Sequence, residues 1–257
     1  MSAPVFAIDP GALAGAHAGS VLMLDGPEGR HAVTVIRLRV GEPVHLVDGR
    51  GTRAIGVVHG HDGRSILEVD VVDVEVEAVP TPRIVVVQAL AKGERGELAV
   101  EQLTEIGVDV IVPWAAANCV VQWRGDRELK GYQRWAVAAH SAAKQSRRAW
   151  FPQIADLANT DDVVKLIRGA ARAVILHETA EQAIGNIEMP PSGELVLIVG
   201  PEGGLAPEEL EILQWAGAVA VRLGPTVMRT SSAGMVGVAA LLSGSTRWSV
   251  GRGGVEG

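Results

Sequence analysis

The sequence predicts an α/β protein in two parts: a small β module over residues 1–79 and a parallel-sheet domain over residues 80–250. Three observations carry this. After residue 83, short apolar runs alternate with helical stretches. Before it, strands follow one another closely without a long helix. Between the two, Ala78-Val-Pro-Thr-Pro-Arg83 interrupts the pattern with two prolines. In the first part, residues 10–20 (PGALAGAHAGS) read as a loose Gly/Ala-rich lead-in. Strands are expected at 21–24, 43–48, 53–59 and 65–77, with a turn at Asp48-Gly49. The last of these alternates apolar and polar residues, as a strand with one wet face should. His31, Val35, Leu38 and Arg39 suit a short helix between the first two strands. Together these pieces describe a small barrel-like or sandwich-like module.

In the second part, strands are expected at 84–87, 108–112, 173–176, 195–199 and 218–223. Helices are expected at 94–106, closed by Gly107, at 127–145, from Pro207, and at about 232–243. Strands that are apolar throughout, each followed by a helix, argue for a parallel sheet covered on both faces. The Gly-rich tail from Gly251 reads as frayed.

Composition narrows the class. The 257 residues are 47% hydrophobic and 21% charged, ordinary values for a globular chain with a real core. The longest clean apolar run, 233–242, is half a membrane span and contains two glycines. The first basic residue is Arg30, which does not match the charged start of a signal peptide. Cys119 is the single cysteine, so no intramolecular disulfide is possible. A soluble protein of the cytoplasm is the expectation. The net charge of −7 argues against a surface coated for nonspecific nucleic-acid binding. Charge is nevertheless focused: residues 122–148 carry Arg124, Arg127, Lys130, Arg134, Lys144, Arg147 and Arg148 against only Asp126 and Glu128. Arg30, Arg37 and Arg39 also fall close together around His31. Such patches steer phosphates even on an acidic protein.

In open parallel sheets, ligands bind at the carboxyl ends of the strands. Two strand exits have the composition for it. Leu197-Ile-Val-Gly-Pro-Glu-Gly-Gly-Leu-Ala-Pro-Glu-Glu-Leu210 leaves a strand through Gly200, Gly203 and Gly204 and enters a helix at Pro207. Val221-Arg-Leu-Gly-Pro-Thr-Val-Met-Arg-Thr-Ser-Ser-Ala-Gly234 leaves through Gly224 and presents Arg229, then Ser231 and Ser232 where a helix cap is expected. A P-loop, a dinucleotide fingerprint, a nucleophile elbow and metal-ligand spacing are all missing from the sequence, so no metal is expected.

The two glycine-rich stretches resemble those of the SPOUT superfamily of methyltransferases. The whole chain resembles the RsmE type, which methylates uracil N3 in ribosomal small-subunit RNA. The resemblance includes Arg30 to Glu42, Val47-Asp-Gly-Arg50, Lys92, Thr104-Glu-Ile-Gly-Val108, Arg134-Trp135 and Gln145-Ser-Arg-Arg148. It implies an N-terminal PUA-like β-barrel that helps bind RNA, followed by an α/β domain with a deep trefoil knot. It further implies a homodimer acting on 16S rRNA of the small ribosomal subunit, at one uridine in the decoding region near the 3′ end. S-adenosylmethionine is the implied cofactor, held by three loops: Leu176, His177 and Glu178; Val199, Gly200, Pro201, Glu202, Gly203 and Gly204; Leu223, Gly224, Val227, Met228 and Arg229. Two positions depart from the family pattern. Ser231 stands where a Glu is usual, and Gln102 where a Lys is frequent.

Methylating N3 requires loss of its proton, which leaves negative charge on O2 and O4. Arg229 is the candidate cation for that charge or a clamp on the nucleotide's phosphate, and Glu202 the candidate base or pocket-shaping carboxylate. Arg30, His31, Arg37, Arg134, Arg147 and Arg148 are the candidate RNA-backbone contacts around a splayed-out base. Ser231 also leaves room for a noncatalytic RNA-binding or ribosome-assembly protein that keeps the fold.

Overall fold

A computed structural model describes residues 3–248. The tail from Gly251 lies outside the described residues. The chain divides into two compact units, Met1–Val79 with Ala143–Phe151, and Pro80–Ala142 with Pro152–Gly257.

The first unit is a five-stranded sheet of β1 (Val5–Ala7), β2 (Val21–Leu24), β3 (Pro43–Val47), β4 (Thr52–His61) and β5 (Leu67–Val76) in the order β1-β3-β4-β5-β2. β1 runs parallel to β3; the other pairs are antiparallel. Two register shifts in β4, at Ile55/Gly56 and Val58/Gly60, add local twist as bulges do. Phe6, Leu24, Val44, Leu46, Leu67 and Val69 fill the core. Residues 10–20 are not all loose: α1 (Pro10–Leu13) forms there because Pro10 sits in its first turn and the Asp9 carboxylate accepts from the Gly11 N–H at 2.7 Å. The helix expected around His31 starts earlier, as α2 (Gly26–Arg30). It continues into a π-helical turn, His31–Ile36, closed by Arg37 at φ 61°.

Residues Ala143–Phe151 belong to this unit by contact. The Gly51 N–H donates to the Ala149 carbonyl and the Phe151 N–H to the Gly49 carbonyl. The Trp150 indole N–H donates to the Glu77 carbonyl, and Lys144 pairs with Glu28. Gly51 makes room for this segment. Its φ is +100°, and a Cβ there would lie 2.5 Å from the Trp150 ring. Gly51→Ala is therefore expected to destabilise the protein by about 3 kcal/mol through strain and overpacking. An unchanged denaturation midpoint in urea would refute this.

The second unit is a six-stranded sheet of β6 (Arg83–Ala89), β7 (Val110–Trp114), β8 (Gln153–Ile154), β9 (Arg172–Leu176), β10 (Glu194–Val199) and β11 (Val219–Val221). The order is β11-β9-β10-β6-β7-β8, and every neighbouring pair is parallel. The sequence expectation of a doubly covered sheet holds. Along β6, Ile84 and Val86 join a core with Leu103, Trp135, Leu197 and Leu241, while Val85 and Val87 join another with Trp114, Val163, Ile198 and Leu213. The helices are α3 (Arg95–Glu105), α4 (Asp126–Gln145), α5 (Thr160–Gly169), α6 (Pro207–Trp215) and α7 (Thr230–Leu242). Gly107 follows α3 at φ +102°, the conformation its helix-ending position requires. The sequence reading assigned neither β8 nor α5. Parallel pairing brings all strand carboxyl ends to one side, where the loops after β6, β9, β10 and β11 can share a ligand.

Among the described residues, no helix is long and apolar enough to cross a membrane.

Candidate active site

The loops after β9, β10 and β11 and the first turn of α7 enclose a cavity of about 360 Å³. From the first loop come Leu176, His177 and Glu178; from the second, Val199, Gly200, Pro201, Glu202, Gly204 and Leu205. The third contributes Arg222, Leu223, Gly224, Thr226, Val227, Met228 and Arg229, and α7 adds Thr230, Ser231 and Ala233. All the expected cofactor positions therefore line one space except Gly203. A Cβ on Gly203 would lie 3.2 Å from Asn118, so this glycine serves close packing against the β7–α4 loop. The Asn118 amide in turn donates to the Gly204 carbonyl at 3.1 Å, holding the glycine turn from behind. Gly204 has φ +75°, which lets the loop fold over and leaves its backbone open.

His177 turns back on its own loop: its Nδ1 lies 3.0 Å from the Thr179 hydroxyl. Its backbone N–H donates to the Val221 carbonyl, tying the β9 and β11 exits together. Glu202 reaches across to the loop after β6. Its Oε1 accepts from the Lys92 N–H at 3.4 Å and lies 4.0 Å from the Arg95 guanidinium. Arg95, the first residue of α3, also lines the cavity and was not singled out from the sequence. Arg229 is exposed on the cavity wall, with no side-chain partner among the described residues. It is also the N-cap residue of α7, extended at ψ 143°. The capping expected of Ser231 and Ser232 is thus corrected. The helix begins at Thr230, so both serines lie inside its first turn, and Ser231 is buried in the cavity wall.

Cys119 is half-buried beside the Trp114 carbonyl, and burial pushes its thiol pKa up. Among the described residues, no group of three or more His, Cys, Asp or Glu side chains is placed to hold a metal ion.

The six expected RNA contacts are divided between the two units. Arg30 and His31 line a shallow hollow of about 400 Å³ in the first unit, with Gly26, Pro27, Val35 and Ser65. Arg37 closes the π-helical turn. Arg147, at φ 59°, gives its carbonyl to the Arg53 guanidinium, and Arg148 follows in the same segment. Arg134 belongs to the second unit and pairs with Glu97 at 3.0 Å, beside the edge-to-face pair Trp123–Trp135.

Comparison with known proteins accounts for this arrangement. Residues 78–242 match the RNA methyltransferase domain family, and residues 24–69 match the RNA methyltransferase PUA domain. Ribosomal RNA small subunit methyltransferase E of Mycobacterium tuberculosis is 46% identical over 234 residues, covering 90% of this chain and 89% of that protein. The chain belongs to the ribosomal RNA small subunit methyltransferase E family. Its Bacillus subtilis member is 26% identical over 228 residues, covering 85% of this chain and 88% of the relative. The crystal structure of the Neisseria gonorrhoeae member bound to S-adenosyl methionine superposes with a TM-score of 0.81 at 25% identity. That match covers 94% of this chain and 98% of the other. The parallel-sheet unit thus carries the match to the RNA methyltransferase domain, and the N-terminal sheet is PUA-like. The remaining lining residues that the sequence reading missed, Leu205, Arg222, Thr226, Thr230 and Ala233, flank recognised motif positions.

Proposed function

We propose that this methyltransferase takes S-adenosylmethionine into the cavity at the β9, β10 and β11 exits and methylates N3 of a uridine in 16S rRNA of the small ribosomal subunit. The cavity carries the cofactor part of the reading. Its volume falls in the range of small-molecule sites, about 300–1,000 Å³. Its wall combines apolar side chains (Leu176, Val199, Leu223, Met228) with open glycine backbone at Gly204 and Gly224. That mixture suits a ligand with an aliphatic stem, a flat base and hydrogen-bonding groups. Bound there, the cofactor supplies an electrophilic methyl group on a positively charged sulfur.

The chain's own residues then have separable tasks. The three loops orient the reactants and keep bulk water out, which supplies much of the acceleration in a two-reactant transfer. Arg229 is placed to offer its guanidinium to the O2 or O4 charge that develops as N3 loses its proton. His177, held by Thr179, shapes the loop after β9. Arg30, His31, Arg37, Arg134, Arg147 and Arg148 contact RNA phosphates in this reading. Charge reversal at Arg147 and Arg148 is accordingly expected to weaken RNA binding and to flatten its dependence on salt. An unaltered salt slope would count against that part of the patch.

The reading also includes a homodimer, a cytoplasmic site of action and a trefoil knot. Trp215, 89% exposed at the end of α6, and Val227, 81% exposed, are apolar groups that a second copy would cover. A noncatalytic alternative draws on Ser231, which places a hydroxyl where the family pattern has a carboxylate. One experiment separates the two. Small subunits lacking the modification are incubated with the protein and labelled S-adenosylmethionine, and the nucleosides are identified by mass spectrometry. A 3-methyluridine product supports the reading. Cofactor binding with transfer to another base overturns the N3 assignment, and absence of both binding and transfer favours the alternative.

A further inference from the structure

We infer that Arg95 binds the RNA acceptor at the mouth of the cofactor cavity and that Glu202 is its positioning residue rather than a proton acceptor; this rests on the methyltransferase reading above. Four loops reach the cavity, and three of them, after β9, β10 and β11, supply nearly its whole wall. On the side of the fourth, after β6, the wall receives Arg95 alone, the first residue of α3. A cofactor embraced by three loops leaves the side of the fourth for the second reactant. The acceptor is a polyanion, and its base becomes negative as N3 loses its proton, so a cation is required on that side.

The geometry of Arg95 suits this task. Its guanidinium is 4.0 Å from Glu202 Oε1, close enough for attraction but beyond hydrogen-bond length. No other side-chain partner of Arg95 is found among the described residues, so its five N–H donors remain unspent. Arg134, Arg83 and Arg247 differ: each already donates to a carboxylate at 3.2 Å or less. The Arg95 side chain is about half exposed (49%) and can swing to a ligand without leaving a buried acceptor unsatisfied.

Glu202 explains how a free arginine stays poised beside a cofactor that is itself cationic. Its carboxylate spans from the Gly200–Gly204 turn to the loop after β6, accepting from the Lys92 N–H and attracting Arg95. It thereby holds the loop at a fixed distance and offsets the repulsion between guanidinium and sulfonium. With both of its neighbours in the segment after β6, the carboxylate acts as a strut between that segment and the glycine turn.

The test uses the full chain, S-adenosylmethionine and small subunits lacking the modification, with wild type measured in parallel. Arg95→Gln, Arg95→Lys and Glu202→Gln are compared by cofactor affinity at equilibrium and by the dependence of methyl transfer on subunit concentration. Arg95→Gln is expected to leave cofactor affinity within about twofold while lowering kcat/KM for the subunit at least about tenfold. Arg95→Lys should recover part of the loss, because it restores charge without the planar fork. Glu202→Gln keeps an acceptor for the Lys92 N–H but removes the charge. It should raise KM for the subunit and leave the pH dependence of kcat unmoved. A parallel fall in cofactor affinity and turnover for Arg95→Gln would assign Arg95 to the cofactor and overturn the inference. Unchanged turnover would overturn it as well, and loss of the acidic limb in the Glu202→Gln pH profile would restore Glu202 as the base. If wild type itself transfers no methyl, the methyltransferase reading fails, and this inference with it.

Discussion

Alanine in place of Arg229 is expected to lower the single-turnover rate of methyl transfer at least about tenfold, and up to about a hundredfold if it faces the developing charge directly. The structure separates this effect from folding. The guanidinium stands exposed on the cavity wall with no partner among the described residues, so its removal strands no buried group. The part of Arg229 that α7 needs is its backbone: the carbonyl accepts from the Ser232 and Ala233 N–H groups, and alanine supplies that equally well. Thermal melting of Arg229→Ala should therefore match wild type while transfer falls. Unchanged transfer would remove Arg229 from the mechanism. Transfer lost together with cofactor binding would place it against the cofactor instead of the base. Comparison with Arg95→Gln adds resolution, because the two arginines come from different loops. Additive losses would indicate two separate contacts, and non-additive ones a shared clamp on one anion.

What the sequence disclosed follows from which signals are local. The strands of the parallel sheet were legible because burial on both faces makes them apolar, as in residues 195–199 and 110–114. The helix exits were legible through Gly107 and Pro207, whose backbone preferences act within a few residues. β8 was missed because two residues carry no periodicity. α5 was missed although its signal was present: Asn159 and Asp162 form a reciprocal capping box just before the buried Val163 and Ile167. The assignment of Ala143–Phe151 to the first unit depends on Gly49, Gly51 and Glu77, residues remote in sequence, and no local pattern announces it. In the site, the glycine turns could be read as motifs because an open backbone needs glycine. Arg95 could not. One arginine at the start of a helix looks like any solvated charge until the loop after β6 is seen beside Glu202.

The largest loss of stability in the second unit is expected from Arg247→Ala, about 3 kcal/mol, seen as a fall in melting temperature of about 10 °C. Arg247 follows α7 in a 3₁₀ turn (Thr246–Trp248), where sequence gives no hint of importance. Its guanidinium donates twice to Asp109, at 2.6 and 3.2 Å, and also to the carbonyls of Pro82 and Gly107. Asp109 in turn accepts from the Ile84 N–H at 2.8 Å. Both ionic side chains are nearly buried, 12% and 10% exposed. This pair fastens the end of the last helix to the start of β6 and to the turn before β7. Truncating the arginine leaves a carboxylate and two carbonyls short of donors in a nearly dry place, which is why the loss should exceed that of a surface ion pair several-fold. Arg247→Met tests the cause, since it preserves the stem's packing while removing the charge. If methionine and alanine destabilise equally, the stranded acceptors account for the loss; if methionine restores the melting temperature, packing does.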